Sequence, residues 1–258
     1  ALDENNVAID SINAVAGRGG LLKSLKGGTY LVNDNMISDL KKAERGEHAS
    51  NLGAALAAGV AAKVGVSAFI VDPVSADEMI DEARISGMPD LPRISLSHAL
   101  NSKAVARKVC DNIGKKYEDV NLVVVHMGTG VSVSAHQMGQ MIDVNNAQEE
   151  GPFSPDRCGG LPARALAKLC YSGKYTESEM MKKISGDGGI YSYHGTRDIR
   201  EIDLDNPVIK AFSYQVAKEI GAMSAVLKGQ VDRIILTGGI AYSETIVNRI
   251  KARVEFIA

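Results

Sequence analysis

The sequence has few cysteines and no long apolar run. Its 258 residues include three cysteines, Cys110, Cys158 and Cys170, which are too scattered for a disulfide framework and form no CxxC motif. No apolar run reaches the length of a membrane span. No charged segment followed by an apolar one opens the chain, as it would in a secretory signal. We therefore expect a cytoplasmic protein that does not interact with membranes.

The net charge is small, and several well-known catalytic motifs are missing. A formal charge of −2 at pH 7 argues against a nucleic-acid-binding protein, because such proteins carry an excess of lysine and arginine. The sequence contains neither the GxSxG elbow of many hydrolases nor the HExxH helix of zinc proteases. It also lacks the GK[ST] ending of a P-loop. Hydrolase and P-loop chemistry are therefore disfavoured.

Alternating strand and helix patterns predict a layered α/β fold. The predicted strands cover residues 12–16, 67–71, 122–126, 131–136, 141–144 and 233–237. The predicted helices cover residues 48–64, 77–85, 100–117, 161–171, 207–228 and 244–254, and a capping box at Thr176 begins another. The strand at 122–126 has almost no polar residue, so we expect it to be central and buried on both faces. We place a domain boundary beside the helix at 100–117, which gives domains of residues 1–115 and 116–258.

A turn between two of these strands is suited to binding phosphate. The strand ending at His126 continues as Met-Gly-Thr-Gly, and the next strand leaves at once. Backbone N–H groups around Gly128 and Gly130, with the hydroxyls of Thr129 and Ser132, can hold a phosphate. A plain β-hairpin with a glycine turn explains the local pattern equally well.

A second glycine pair follows the strand at 233–237. Gly238, Gly239 and Ile240 connect that strand to a helix. Backbone amides near a helix N-terminus suit nucleotides. An ordinary strand-to-helix connection is the alternative interpretation.

Several charged residues have both a functional and an ordinary interpretation. Arg157 lies in a loop punctuated by glycine and proline, and Arg18 lies within Gly-Arg-Gly-Gly. A guanidinium fits carboxylate or phosphate, although each arginine could equally be a solvated loop residue. Asp72 and Asp143 are candidate Mg²⁺ ligands, but Asp72 precedes a proline and is also a typical turn residue. His48 and His98 begin predicted helices, so a capping or core role is the ordinary alternative for each.

Taken in order, these segments resemble the acetate and butyrate kinases of the actin-like and sugar-kinase superfamily. The segments that carry the resemblance are Gly17-Arg-Gly-Gly, Gly46-Glu-His-Ala-Ser-Asn-Leu-Gly, Phe69-Ile-Val-Asp-Pro-Val, Ser97-His-Ala-Leu-Asn, Val125-His-Met-Gly-Thr-Gly, Ile142-Asp-Val-Asn-Asn-Ala, Gly151-Pro-Phe-Ser-Pro-Asp-Arg and Leu236-Thr-Gly-Gly-Ile-Ala-Tyr-Ser. They span nearly the whole chain and are closest to the butyrate and branched-chain fatty acid kinases. The resemblance implies two actin-like, ribonuclease H-like domains, with mixed sheets flanked by helices and the active site in the cleft between them.

The resemblance implies a kinase that uses ATP and Mg²⁺ to phosphorylate a short-chain carboxylic acid. The implied reaction is ATP plus butyrate giving ADP and butanoyl phosphate, by direct in-line transfer. Acetate, propionate or branched-chain acids are alternative substrates, and a non-catalytic nucleotide-binding relative is the alternative from another class. A homodimer or higher homo-oligomer is also implied.

The resemblance also assigns roles by position. It gives catalytic roles to Arg157, Asp72, His98 and Arg18. Arg157 and His98 contact the transferred phosphoryl group, Asp72 lies near Mg²⁺, directly or through water, and Arg18 is the second arginine. The implied phosphate loop contains His126, Gly128, Thr129, Gly130 and Ser132, and the implied adenosine loop contains Gly238, Gly239 and Ile240. The implied carboxylate side contains His48, Asn51 and Arg18.

Some positions depart from the family pattern. The family usually has glycine where Thr129 lies and serine where Cys158 lies, and acetate kinases have histidine near the position of Arg18. The family's first phosphate loop and its final acidic segment have no counterpart in this sequence. We therefore expect the sequence to be the internal part of a longer kinase, given without its ends, or else a degenerate relative.

Overall fold

A computed structural model describes residues 3–258, which fold into two compact α/β units. Unit 1 contains the described residues up to Glu78 together with His98–Lys103, and unit 2 contains Met79–Ser97 and Ala104–Ala258. The predicted domain boundary between residues 115 and 116 stays a prediction, because compactness alone does not show which parts fold independently. Within residues 3–258, no helix is long and apolar enough to span a membrane.

Unit 1 is built on a three-stranded sheet. Its strands are β1 (Ala14–Arg18), β2 (Thr29–Leu31) and β3 (Ser67–Val71), in the order β1-β3-β2. Strand β1 is parallel to β3, and β2 is antiparallel to it. The helices α1 (Asp34–Lys42) and α2 (Leu52–Val64) complete the unit. The sequence patterns did not predict β2 or α1, because one is only three residues long and the other is mostly polar.

Helix α2 approaches the sheet closely because both surfaces carry glycine. A Cβ atom added to Gly17 of β1 would lie 2.3 Å from the carbonyl oxygen of Gly53. A Cβ atom added to Gly53 of α2 would lie 2.1 Å from the carbonyl oxygen of Arg18. The buried residues of α2 are Ala54, Ala57 and Ala61. Small residues therefore determine the distance between helix and sheet.

Seven further helices occur in the described part of the chain beyond β3. They are α3 (Asp81–Arg84), α4 (Ala99–Asn112), α5 (Ala163–Cys170), α6 (Glu177–Ile184), α7 (Tyr191–His194), α8 (Pro207–Val226) and α9 (Glu244–Val254). The prediction of a helix over 77–85 was wrong for its first half, because Ala76 and Asp77 pair with Leu25 instead. Helix α4 ends before its predicted end because Gly114 adopts a positive φ of 68°.

Unit 2 is built on a four-stranded mixed sheet. Its strands are β4 (Asn121–Met127), β5 (Val131–Gln137), β6 (Gln140–Val144) and β7 (Arg233–Thr237), in the order β6-β5-β4-β7. Strand β4 is antiparallel to β5 and parallel to β7, so it is central, as its apolar sequence predicted.

Strand β4 contributes to a separate cluster on each face of the sheet. Val123 and Val125 lie in one apolar cluster with buried residues of α8 and α9. Leu122 and Val124 lie in another with Ala106 of α4. Burial on both faces explains why the strand shows no polar alternation.

The close approach of α2 to β1 predicts opposite effects for two glycines of the same helix. We expect Gly53→Ala to lower the free energy of unfolding by roughly 1–3 kcal/mol, because the added methyl group meets a backbone carbonyl. We expect Gly59→Ala to raise it by about 0.5–1 kcal/mol, because alanine favours helix and nothing lies within 4 Å of the added atom. Urea denaturation of both variants checks this. Equal effects would contradict the close approach.

Candidate functional site

The turn after β4 and the loop after β7 lie side by side at one edge of the sheet in unit 2. The two strands are parallel neighbours, with His126 opposite Thr237. A Cβ atom added to Gly238 would lie 2.4 Å from the carbonyl oxygen of Met127, and the φ of Gly238 is 88°. Only glycine allows this approach. The structure therefore brings together the two loops that the sequence singled out, at the carboxyl ends of parallel strands, where α/β proteins bind ligands.

A cavity of about 600 Å³ lies at this edge. Its lining includes Gly128, Thr129, Gly239, Ile240, Tyr242 and Ser243 from the two loops. The remaining lining comes from Pro155 and from residues between Arg197 and Leu204. The volume lies in the range of small-molecule sites, and the lining is mainly apolar with a few polar groups, as such sites require.

The segment from Arg197 to Leu204 was not identified from the sequence. Hydrogen bonds from the Arg200 side chain, and then from its backbone N–H, lower the pKa of Asp198 to about 2. Asp198 is therefore ionised at neutral pH, and both of its carboxylate oxygens accept hydrogen bonds from Arg200. Ile202 and Leu204 present apolar surface at the same cavity. The segment mixes charged and aliphatic residues, which could have indicated a partly buried loop, but the mixture has no regular period.

The turn accommodates Thr129, where the resemblance led us to expect glycine. Gly128 N–H donates to the carbonyl oxygen of Gly130 at 3.0 Å, which closes the turn between β4 and β5. Thr129 itself is exposed and does not adopt a positive φ. The departure from glycine thus causes no left-handed strain. Ser132, on the strand that leaves the turn, is buried.

Arg157 is held in a defined orientation within unit 2. Its backbone N–H donates to Ser154 Oγ at 3.2 Å, and its carbonyl oxygen accepts from Ser154 N–H at 2.9 Å. Its backbone also pairs with that of Ser185 in an isolated β-bridge. Its Nη1 donates to the carbonyl oxygen of Ala147 at 3.1 Å, and its Nε lies 3.7 Å from Asp156 Oδ1. Burial raises the pKa of Asp156, although the charge of Arg157 opposes this shift. The arginine is therefore not a freely solvated loop residue.

Asp72 lies at the end of β3 in unit 1 and is 1% exposed. Its φ is 37°, a left-handed conformation that is costly for a residue other than glycine. Gly28 N–H donates to Asp72 Oδ1 at 2.8 Å, and Asp72 N–H donates to the carbonyl oxygen of Gly28 at 2.9 Å. Strained residues of this kind cluster at functional sites, which favours the functional interpretation of Asp72 over an ordinary turn.

Asn51 and His48 line a second cavity, of about 530 Å³, within unit 1. The Asn51 side chain accepts from Leu21 N–H at 2.9 Å and donates to the carbonyl oxygen of Gly46 at 3.1 Å. Ser50 N–H donates to His48 Nδ1 at 3.1 Å, so His48 caps the short helical turn at Ala49–Asn51. Both side chains therefore hold the loop in place, as the ordinary interpretation of His48 anticipated.

Arg18 and His98 also belong to unit 1. Arg18 is the last residue of β1 and is exposed. His98 is half-buried and directly precedes α4, where its carbonyl oxygen accepts from Ser102 N–H at 2.9 Å. The structure thus places Arg18, His48, Asn51, Asp72 and His98 in unit 1. It places Arg157 and both glycine loops in unit 2.

Asp72 and Asp143 are the two acidic residues that the sequence suggested as metal ligands. Among residues 3–258, no group of three His, Cys, Asp or Glu side chains is arranged to hold a metal ion by itself. Asp143 pairs with Arg93 at 3.1 Å, which favours a structural role. Burial raises the pKa of Asp143, and Arg93 opposes this shift. One carboxylate such as Asp72, with phosphate oxygens and water, is a typical donor set for Mg²⁺.

Sequence comparison finds a family and close relatives. The model of the Acetokinase family matches residues 96–257. Butyrate kinase 1 of Clostridium acetobutylicum is 54% identical over 268 residues, which cover 100% of this chain and 75% of that protein. Butyrate kinase 2 of the same organism is 53% identical, and a probable butyrate kinase of Clostridium botulinum is 51% identical, with the same coverage.

Solved structures and the family match agree on the fold. Porphyromonas gingivalis acetate kinase superposes with a TM-score of 0.82 at 20% identity, covering 97% of this chain and 68% of that one. A propionate kinase from Francisella tularensis superposes with a TM-score of 0.79 at 18% identity, covering 99% and 71%. The predicted α/β, actin-like fold class is therefore confirmed. Because the family model covers more than half of the chain and relatives above 50% identity cover all of it, this chain belongs to the acetokinase family, as its motifs predicted.

Proposed function

We propose that this chain catalyses the phosphorylation of a short-chain carboxylic acid by ATP, with butyrate as the main substrate. The observation that carries the proposal is the pairing of two glycine loops beside a cavity of about 600 Å³ at the ends of β4 and β7. The identity of 54% to a butyrate kinase supports butyrate over other acids. Phosphoryl transfer depends on positioning and on neutralising charge, which backbone amides and guanidinium groups can supply.

The nucleotide occupies the cavity of unit 2 in this proposal. Backbone N–H groups of Thr129 and Gly130 in the turn after β4 bind the phosphates, with the hydroxyl of Thr129 beside them, and the loop at Gly238, Gly239 and Ile240 lies against the adenosine. Ile240, together with Ile202, offers apolar surface for a base. The hydrogen-bonded pair of Asp198 and Arg200 lines the same cavity and offers polar contacts for the ribose. Charged, polar and apolar groups thus match the three parts of ATP.

The transfer itself requires no strong general base. A carboxylate substrate is ionised at pH 7, and one of its oxygens forms the new bond to the γ-phosphorus of ATP. The bond between that phosphorus and the oxygen bridging to the β-phosphate breaks, and ADP leaves with that oxygen. Arg157 neutralises the equatorial oxygens of the phosphoryl group, and His98 donates a hydrogen bond to it.

The remaining residues bind the acid and orient the reactants. Arg18 binds the carboxylate, while His48 and Asn51 shape the wall on its side. Asp72 orients Mg²⁺ directly or through water, and the ion, when bound, supplies positive charge to the phosphates. A homodimeric state and a cytoplasmic location remain part of the proposal.

The reaction is tested by trapping acyl phosphates as hydroxamates. The chain is incubated with ATP, Mg²⁺, hydroxylamine and acetate, propionate, butyrate or isobutyrate. A longer form, extended at both ends to the length of the relatives, is assayed in parallel. We expect hydroxamate from the longer form, with higher kcat/KM for the four-carbon acids. Hydroxamate from none of the acids would refute the kinase proposal. ATP binding without turnover would instead support a non-catalytic nucleotide-binding relative.

Replacement of Arg157 is expected to lower turnover without unfolding the protein. Removing a group that stabilises the charge of a transition state typically lowers kcat by roughly 10²- to 10³-fold, and we expect a loss of this size for Arg157→Ala. The control is Arg164→Ala, which removes an exposed arginine of α5. Steady-state kinetics of both variants, with circular dichroism to verify folding, check this. Equal activity of the two variants would remove Arg157 from the site.

A side chain added at Gly239 is expected to block the nucleotide. Nothing lies within 4 Å of a Cβ atom added there, so Gly239→Val should fold while occupying part of the cavity. We expect the Kd for ATP to rise by roughly tenfold or more, which corresponds to about 1.4 kcal/mol. Gly87→Val is the matched control, because an added Cβ atom also meets nothing there and the residue does not line the cavity. Calorimetric titration measures both. Unchanged affinity in Gly239→Val would place ATP elsewhere.

A further inference from the structure

A buried ion pair lies in unit 1, outside the residues with proposed catalytic roles. Lys103, in the second turn of α4, places its Nζ 2.7 Å from Oε2 and 2.8 Å from Oε1 of Glu78. The two side chains are 3% and 8% exposed. Burying two charges carries a large desolvation cost, so an apolar pair would pack here at least as favourably. The pair therefore calls for an explanation other than stability.

Two consecutive backbone amides connect this ion pair to Asp72. Gly27 N–H donates to Glu78 Oε1 at 3.0 Å, and the next amide, that of Gly28, donates to Asp72 Oδ1 at 2.8 Å. A Cβ atom added to Gly27 would lie 2.6 Å from Lys103 Nζ and 2.7 Å from Glu78 Oε1. The backbone at Gly27 thus lies directly against the ion pair, and a side chain there would displace the charged end of Lys103 or Glu78.

Hydrogen bonds join several residues of the segment 20–28 to the segment 72–78. Leu22 N–H donates to Ser75 Oγ at 3.2 Å, and Asp77 N–H donates to the carbonyl oxygen of Leu25 at 2.8 Å. Glu78, the last residue of the segment 72–78, bonds both Lys103 and Gly27. Asp72, its first residue, bonds Gly28. Because the backbone of Asp72 is left-handed and strained, its conformation persists only while the surrounding bonds hold it.

The same ion pair anchors the start of α4 to unit 1. Lys103 lies five residues after His98, within the short segment His98–Lys103 that belongs to this unit. Ser102 N–H donates to the carbonyl oxygen of His98 at 2.9 Å, so the first turn is continuous with His98. Displacing Lys103 would therefore move His98 as well as the amides at Gly27 and Gly28.

We propose that Lys103 and Glu78 are positioning residues for phosphoryl transfer, holding the carboxylate of Asp72 through Gly27 and Gly28 and holding His98 through α4. This inference rests on the proposed function of the site. A charged pair is suited to the task because Glu78 gives the Gly27 amide a directed acceptor, which an apolar side chain of equal volume does not. Packing alone would keep the fold but would leave Asp72 free to shift.

Two double variants separate positioning from stability. Lys103→Met with Glu78→Met removes both charges and the acceptor for Gly27 N–H. Lys103→Met with Glu78→Gln removes both charges but keeps an acceptor. We expect the first to lower kcat roughly 10- to 100-fold, as small displacements of reacting groups do, with KM for ATP nearly unchanged. We expect the second to recover most of the loss. Lys210→Met, which removes an exposed partner of Asp205, is the control and should leave kcat unchanged.

Kinetics are measured well below the unfolding temperature of each variant, so that a change in stability alone leaves kcat unaffected. Wild-type kcat in the folded Met/Met variant would overturn the proposal, as would equal losses in the two double variants. If the Met/Met variant does not fold, the Met/Gln variant and Gly27→Ala are compared, and wild-type kcat in Gly27→Ala would overturn it.

Amide hydrogen exchange distinguishes failure of this inference from failure of the proposed function. If the wild-type protein phosphorylates no acid, the proposed function fails. The positioning is then judged from the exchange rate of the Gly28 amide, which we expect to be faster in the Met/Met variant than in the Met/Gln variant. Equal protection of Gly28 in both variants would overturn the positioning inference in either case.

Discussion

Direct contact between backbones, made where no side chain would fit, is the constraint on which both units depend. In unit 1, Gly17 and Gly53 allow helix α2 to lie against β1. In unit 2, Gly238 allows the end of β7 to reach Met127, and this contact sets the two loops at the cavity side by side. The distance between helix and sheet, and the spacing of the loops that would face a nucleotide, both follow from the absence of a Cβ atom. A larger residue at Gly238 would move the two loops apart without removing any polar group of the cavity.

Local sequence patterns predicted the elements that carry a regular apolar pattern or a capping motif. The bounds of β3 and β7 agree with the prediction, the capping box at Thr176 is present, and β4 is central as its apolar run implied. Such elements are predictable because burial leaves its period in the sequence. Strand β2 is too short to show a period, and α1 is mostly polar, with Leu40 its one buried residue. The helix predicted over 77–85 failed because the partner of its first half, Leu25, lies some fifty residues away in the chain.

The candidate site was predictable only in part, for a similar reason. Glycine turns at strand ends have a recognisable spacing, so both loops were predicted from the sequence, whereas the role of Arg157 stays a prediction. Asp198 and Arg200 were missed because their importance comes from the cavity that they line, which involves residues far apart in the chain. Asn51 was predicted to bind substrate, but both polar atoms of its side chain are hydrogen-bonded to the backbone, at Leu21 and Gly46. A residue type typical of ligand contact can serve to hold a loop.

The left-handed backbone of Asp72 has a consequence for how relatives of this protein can diverge. Aspartate at this φ costs stability, whereas asparagine tolerates the conformation better and would still accept the hydrogen bond from Gly28. A lineage released from selection for catalysis would no longer need the carboxylate, and an amide could replace it at the same backbone conformation. Under the proposed function, the residue at this one position distinguishes relatives that still transfer phosphate from those that only keep the fold. Ancestral and degenerate sequences could be sorted by it without an assay.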